Sequence, residues 1–216
     1  MLRSLTPELL ETLPHDHSDA LASRQDLICI NRVMGNTNWL VNQLQAIQSF
    51  LKVKNWAELG AGDGSLGNKI IHALGVKDYQ IMGLDFAPRP QSWPLNWDWH
   101  QGNLEQWNKW SEIEGLIACL VLHHFSEQHL QNLGKKIQQN CRCIIAVEPV
   151  RKKLHLWQAN LLTLGMNRIT KHDASISVKA GFQDNELAQA LCLNKSWQVI
   201  VRQTWRGAYR FIAWRK

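Results

Sequence analysis

The stretch AELGAGDGSLG, residues 57–67, decides how the rest of the chain is read. A short apolar run, KNWAELG, feeds glycines at 60, 62 and 64. GSLGNKIIHAL then shows helical apolar spacing up to Gly75, a predicted C′ glycine. A strand–glycine–helix turn lets the backbone approach a ligand that side chains would otherwise hold away. Two cofactor classes use such a turn. Gly62, Gly64 and Gly67 spell G-x-G-x-x-G, the dinucleotide fingerprint. That register starts too late, because the strand ends near Leu59 and Gly60 is then the first turn glycine. Counted from Gly60, the final position is Ser65. The pattern E-x-G-x-G-x-G, with Glu58 two residues before Gly60, fits the turn better.

Upstream, residues 1–50 read as helices: TPELLETL, SRQDLICINRVM and NWLVNQLQAIQSFL, the last two parted at Gly35-Asn36. Downstream, DYQIMGLD and NWDWHQGN are the second and third strands. GLIACLVL is a continuous apolar strand of the kind buried on both faces, and CRCIIAVEP is another. Between them Ser126 can cap the helix EQHLQNLGKKIQQN. Residues 151–166 and DNELAQALC read as further helices. The tail WQVIVRQTWRGAYRFIAWRK reads as two strands joined around Arg206-Gly207. The expected fold class is α/β: a doubly wound, mostly parallel sheet with a C-terminal antiparallel hairpin. Residues 1–50 are expected to cap the same domain as residues 51–216.

The run Glu58, Gly60, Gly62, Gly64 resembles motif I of the class I S-adenosylmethionine-dependent methyltransferases. Asp85 ends the second strand where that family places the acid holding the ribose hydroxyls, a job suited to a carboxylate that can accept two hydrogen bonds from a diol. HQGNL, residues 100–104, resembles the loop that meets the adenine, with Gly102-Asn103 where Gly-Asp is common. The resemblance runs over roughly residues 55–150. It implies a seven-stranded sheet, S-adenosylmethionine as cofactor, and a binding set of Glu58, Gly60, Ala61, Gly62, Asp85, Phe86, Gly102, Asn103, Leu104 and Leu120. LVLHHF, ending at residue 125, looks like the segment after strand four in the menaquinone and ubiquinone biosynthesis type, which acts on small molecules. The implied reaction is in-line methyl transfer to oxygen or carbon of a small organic acceptor.

Such a reaction needs alignment and exclusion of water, and a base only where the acceptor must lose a proton. His123 is the expected base, preferred to His124, because a histidine titrates near neutral pH at the carboxyl end of a strand. His172, beside Asp173 in ITKHDASISVKAGF, is the second candidate, although that segment reads more readily as a turn or N-cap. No metal site is expected, since no carboxylate or third histidine lies nearby in sequence at ligand spacing. Arg151, Lys152 and Lys153 open a helix and are either a solvated face or a seat for an acidic or carrier-bound substrate. In the cap, Asp26, Ile30 and Met34 share a helical face, and Asn31 beside them is the residue to test for a polar role.

The bulk numbers set the frame. A chain of 216 residues, 45% hydrophobic and 19% charged, suits one globular domain. Its apolar runs are too short to span a bilayer and its first residues hold no apolar leader core, so a cytoplasmic enzyme is expected. The five cysteines show no metal spacing and read as reduced thiols. A net charge of +6 admits an acidic substrate or RNA. The tail RQTWRGAYRFIAWRK does interleave Arg with aromatics, but LVLHH lacks the Asn/Asp-Pro-Pro-aromatic motif of base methylation, so a nucleic-acid partner is not favoured. The rivals are an RNA methyltransferase, a cofactor binder without turnover, and an NAD-dependent oxidoreductase. Five of eleven tryptophans fall between Trp93 and Trp110 and are read as packing. Oligomeric state is left open.

Overall fold

The computed structural model describes residues 1–74, 80–104 and 106–216. Gly75 and its expected capping role lie outside the described residues. Seven strands form one sheet: β1 (Asn55–Leu59), β2 (Gln80–Asp85), β3 (Trp99–Gln101), β4 (Gly115–Cys119), β5 (Cys143–Pro149), β6 (Trp197–Gln203) and β7 (Ala208–Arg215). Their order is β3-β2-β1-β4-β5-β7-β6. β1 to β5 pair in parallel, and β7 runs antiparallel to both β5 and β6. The helices are α1 (Leu9–Thr12), α2 (Ser18–Met34), α3 (Asn36–Leu51), α4 (Ser65–Leu74), α5 (Glu127–Asn140), α6 (Lys153–Leu162), α7 (Arg168–Ala180) and α8 (Glu186–Ala190). None among the described residues is long and apolar enough to cross a membrane.

The two-faced burial expected of the central strands follows their period of two. On β5, Ile144 and Ala146 join the cluster packed by Leu130, Leu133 and Ile137 of α5, while Cys143, Ile145 and Val147 join the opposite cluster, with Leu40, Leu44 and Ile47 of α3. Thus α3, grouped with the cap in the sequence reading, is a layer of the core. The tryptophans between Trp93 and Trp110 are packing elements, as read. Trp56, Trp93, Trp97, Trp107 and Trp110 are buried. Trp99 lies over Gly83 so closely that a Cβ there would sit 2.4 Å from its ring. α5 similarly approaches α8 through Gly134, where a Cβ would fall 2.0 Å from the Leu191 carbonyl oxygen. Since backbone cannot yield as a side-chain tip does, Gly134→Ala is expected to lower stability by about 3 kcal/mol, read as a fall in the urea midpoint. An unchanged midpoint would show that the two helices can slide apart.

Three segments depart from the sequence reading. β4 stops at Cys119 rather than Leu122: Leu120 takes φ 56°, and Leu122–His124 form a 3-10 turn. Residues 169–182 form most of α7 rather than a turn. Asn167 caps this helix, and Ile169, Asp173 and Ala180 are buried along one face. Asp173 stays inside it because its carboxylate finds better partners in another helix, accepting from Leu9 N and Leu10 N at 2.9 Å each. The helix expected from 151 begins at Lys153, which leaves Arg151 outside it. The hairpin turns where expected, with Gly207 at φ 84°.

Candidate functional site

A cavity of about 770 Å³ opens at the carboxyl ends of β1, β2 and β4, between the sheet and α1, α2, α6 and α7. This is where ligands of open α/β sheets lie. Its floor is the glycine loop. Gly60, Gly62 and Gly64 all have left-handed backbone, with φ 63°, 57° and 73°. A Cβ at Gly62 would meet nothing closer than the Gly60 carbonyl oxygen at 3.9 Å, so the loop presents bare backbone to open space. Gly60 N donates to Leu84 O at 2.8 Å, tying the loop to the end of β2. The Asp85 carboxylate completes the tie: Oδ2 accepts from Gly62 N at 2.8 Å and Oδ1 from Ala87 N at 2.7 Å. Each oxygen keeps a lone pair, and Asp85 lines the cavity.

Six residues of the expected binding set meet on this wall: Gly60, Gly62, Asp85, Phe86, Leu104 and Leu120. Phe86 is 71% exposed, and Leu120 takes left-handed backbone as the last residue bonded to the β5 backbone, its N–H donating to Val147 O at 2.8 Å. Gly102 contributes from behind, its N–H donating to the Asp85 carbonyl at 2.9 Å, and it lies outside the lining with Asn103 and Ala61. Glu58 is also off the wall, 2% exposed on the Trp56 side of β1. Burial pushes its carboxyl well above the usual range, and Asp63 and Asp85 add to the shift, so a charge on this side chain is disfavoured. Glu58→Gln, close in shape, is expected to bind any loop ligand within about threefold of wild type, under about 0.7 kcal/mol. A tenfold loss by calorimetry would return Glu58 to the binding set.

The far end of the cavity is polar. His123 is 2% exposed, and its Nδ1 lies 2.6 Å from Glu148 Oε2. Glu148, at 0% exposure, also accepts from the backbone N–H of Val121, Leu122 and His123 at 2.9 to 3.2 Å. On the other side His123 Nε2 faces Glu8 Oε1 at 3.5 Å. Burial alone would lower the His123 pKa, but the bond to Glu148, and then Glu8, raise it to about 9. The two carboxylates thus favour the charged ring, which argues against its expected role as a free base. His124, which lines the cavity, has Nδ1 2.7 Å from Glu11 Oε1. Glu8 and Glu11 arrive on the segment around α1, which Asp173 caps and Ser177 holds by a hydrogen bond to Glu8. Arg3 pins the same segment, donating to the carbonyls of His123 and Phe125 at 3.1 and 2.9 Å.

His172 does not join this group. Its side chain is 50% exposed, bonded to Asp173 at 2.8 Å, and it is absent from the lining while Asp173 is present. Arg151 is no substrate cation either: it is buried, ion-paired to Glu186, and donates to Gly181 O at 3.2 Å. In the cap, Ile30 and Met34 line the cavity as their shared face suggested. Asp26 instead accepts from Asn167 N and Thr170 Oγ1 at 2.8 Å, and Asn31 accepts from Asn36 Nδ2 at 2.8 Å. The sequence reading missed Glu8, Glu11 and Glu148. Only Glu148 carries a signal, an acid closing an otherwise wholly apolar strand.

By sequence the chain matches no family model and no curated protein. By structure it matches many solved proteins. The plantazolicin methyltransferase BpumL, solved in complex with SAH (S-adenosylhomocysteine), superposes with a TM-score of 0.74 at 8% identity, covering 96% of this chain and 92% of that protein. The methyltransferase domain of bacterial CtHen1 gives 0.57 at 15% identity, covering 83% of this chain and 100% of that one. A putative O-methyltransferase from Nostoc punctiforme PCC 73102 gives 0.56 at 11% identity, covering 83% of this chain and 56% of that one. With β5-β7-β6 closing the sheet as an antiparallel hairpin, the chain has the Rossmann-like fold of these methyltransferases.

Proposed function

We propose that the chain is an S-adenosylmethionine-dependent methyltransferase whose acceptor is a small, largely apolar organic molecule methylated at oxygen or carbon. The observation that carries this reading is the Asp85 carboxylate. It is fixed by two backbone N–H donors at the lip of bare glycine backbone, with a lone pair free on each oxygen for a cis-diol. Phe86, Leu104 and Leu120 offer flat apolar surface for an adenine beside it. When bound, the cofactor supplies a methyl group already activated on a sulfonium. The chain's own part is then to hold the reactants in line and keep water out. Leu27, Ile30, Met34, Leu162 and Val178 close the cavity over the loop and do the excluding. His123, held between Glu148 and Glu8, and the His124–Glu11 pair face the acceptor end.

The case for RNA weakens on packing. Arg210 stacks on Trp39 and Arg215 on Trp197 within the fold, and Tyr209 and Phe211 are buried, so the aromatic-basic tail is mostly a half-buried hairpin. The reading is tested by titrating S-adenosylhomocysteine and NADH into the protein by calorimetry, followed by methyl release from labelled cofactor onto pools of apolar hydroxylated and enolic acceptors. Micromolar binding of the first, with turnover, is expected. Binding of NADH alone would replace the reading, and cofactor binding without turnover on any pool would reduce the chain to a binding protein.

A further inference from the structure

We propose that Glu8, His123 and His124 form a binding site for one divalent first-row transition ion, of the zinc type, on the wall of the cavity. One ligand atom from each of the three lies within 4.8 Å of the others. Bonds of about 2.0–2.2 Å to a shared ion require those atoms to draw together by roughly an ångström. Rotation of the Glu8 side chain, with release of its hydrogen bond from Ser177, would supply that movement.

The second observation is how the two imidazoles are held. Metal-binding histidines usually give their other ring nitrogen to a carboxylate, which fixes tautomer and orientation. Both rings have that arrangement: His123 Nδ1 meets Glu148 at 2.6 Å and His124 Nδ1 meets Glu11 at 2.7 Å. In each case Nε2 is the nitrogen left to coordinate. His123 Nε2 is buried, makes no hydrogen bond, and faces Glu8 at 3.5 Å, too long for a good one. A buried nitrogen in that state requires either a proton shared toward Glu8 or an ion. Charge complementarity favours an ion: three carboxylates (Glu8, Glu11, Glu148) converge on the two rings, and an ion at Nε2 would take the place of the His123 ring proton.

The donor set selects the class of metal. Two imidazoles and one carboxylate suit zinc or ferrous iron, whereas magnesium and calcium prefer oxygen alone. Three protein ligands leave positions open, and all three residues line the cavity. On the methyl-transfer reading, an acceptor oxygen at such a position would be made more acidic, which assigns phenols and enols as the acceptor class. That last clause rests on the methyl-transfer reading; ion binding does not.

The test is calorimetric titration of zinc chloride into the chelator-treated full chain, with magnesium chloride in parallel and cobalt(II) absorption as a second readout. One equivalent of tight zinc, no magnesium of comparable affinity, and a cobalt d–d band are expected. Glu8→Gln and His124→Asn should each weaken zinc by 100-fold or more, and Glu11→Gln by about 10–100-fold. His172→Ala should leave the affinity unchanged. Melting curves and S-adenosylhomocysteine titrations on the same variants separate lost ligands from lost fold. Absence of stoichiometric zinc, or zinc binding indifferent to both Glu8→Gln and His124→Asn, overturns the site. In that case a proton on His123 occupies it and the metal seen is bound elsewhere. Zinc binding without S-adenosylhomocysteine binding would overturn the methyl-transfer reading and leave the metal site standing.

Discussion

Asp85→Ala is expected to weaken S-adenosylhomocysteine binding by about 100-fold. The carboxylate would supply two charge-assisted hydrogen bonds to the ribose, each worth about 1.5 kcal/mol or more, and 3 kcal/mol is roughly two decades of affinity. The same oxygens hold Gly62 N and Ala87 N, so truncation also frees the loop that the ligand lies against. Asp85→Asn separates the two effects. Its single acceptor oxygen can keep one backbone bond but cannot serve both hydroxyls, so an intermediate loss of about tenfold is expected. The global fold should survive, because Asp85 lies at a strand end and is only partly buried. Calorimetry and a melting curve on each variant give both answers. Affinity within threefold of wild type for Asp85→Ala would remove the ribose assignment and with it the main support for the proposed cofactor.

Glu148→Ala is expected to cost about 4 kcal/mol of stability, the range for removing one partner of a buried charged network. Four hydrogen bonds converge on this carboxylate at 0% exposure, three of them from consecutive backbone N–H groups. Those donors exist because β4 ends early: beyond Leu120, the amides of Val121, Leu122 and His123 have no strand to pair with. Truncation strands all three amides and leaves the buried His123 ring without its nearest partner. For a chain of this size the loss corresponds to a fall in Tm of roughly 10 °C. Glu148→Gln keeps an acceptor for the amides and loses the charge, so a smaller fall is expected. A Tm for Glu148→Ala within 2 °C or so of wild type would mean that water or the shifted turn replaces the carboxylate, and the network would lose its structural role.

These two residues differ in how far the sequence announced them. Asp85 stands at the end of an apolar run, at a fixed interval after a glycine turn, and both features are local. Glu148 shows only as an acid closing an apolar strand, and its partners lie 25 to 27 residues away. Local chemistry accounts for most of what was read correctly: the helix break at Gly35, the cap at Ser126, the hairpin at Gly207 and the two-sided burial of β5. Each depends on propensity, a turn residue or a period of two, which a short window contains. The misreadings share the opposite property. Asp173 looked like a turn former because its helix-capping partners are more than 160 residues upstream. Arg151 looked like a free cation because Glu186 is 35 residues on. His123 looked like a base because nothing in LVLHHF indicates that Glu8 and Glu148 would enclose it.

By itself, then, the sequence determined the sheet, its direction of winding and the glycine loop with its acid. Those follow from the order of apolar runs and the backbone freedom of three glycines. The tertiary structure alone decided which histidine is caged, which carboxylates surround it and which basic residue is already paired. A side chain's protonation and availability depend on neighbours brought within a few ångströms by folding, and sequence separation carries no information about that distance.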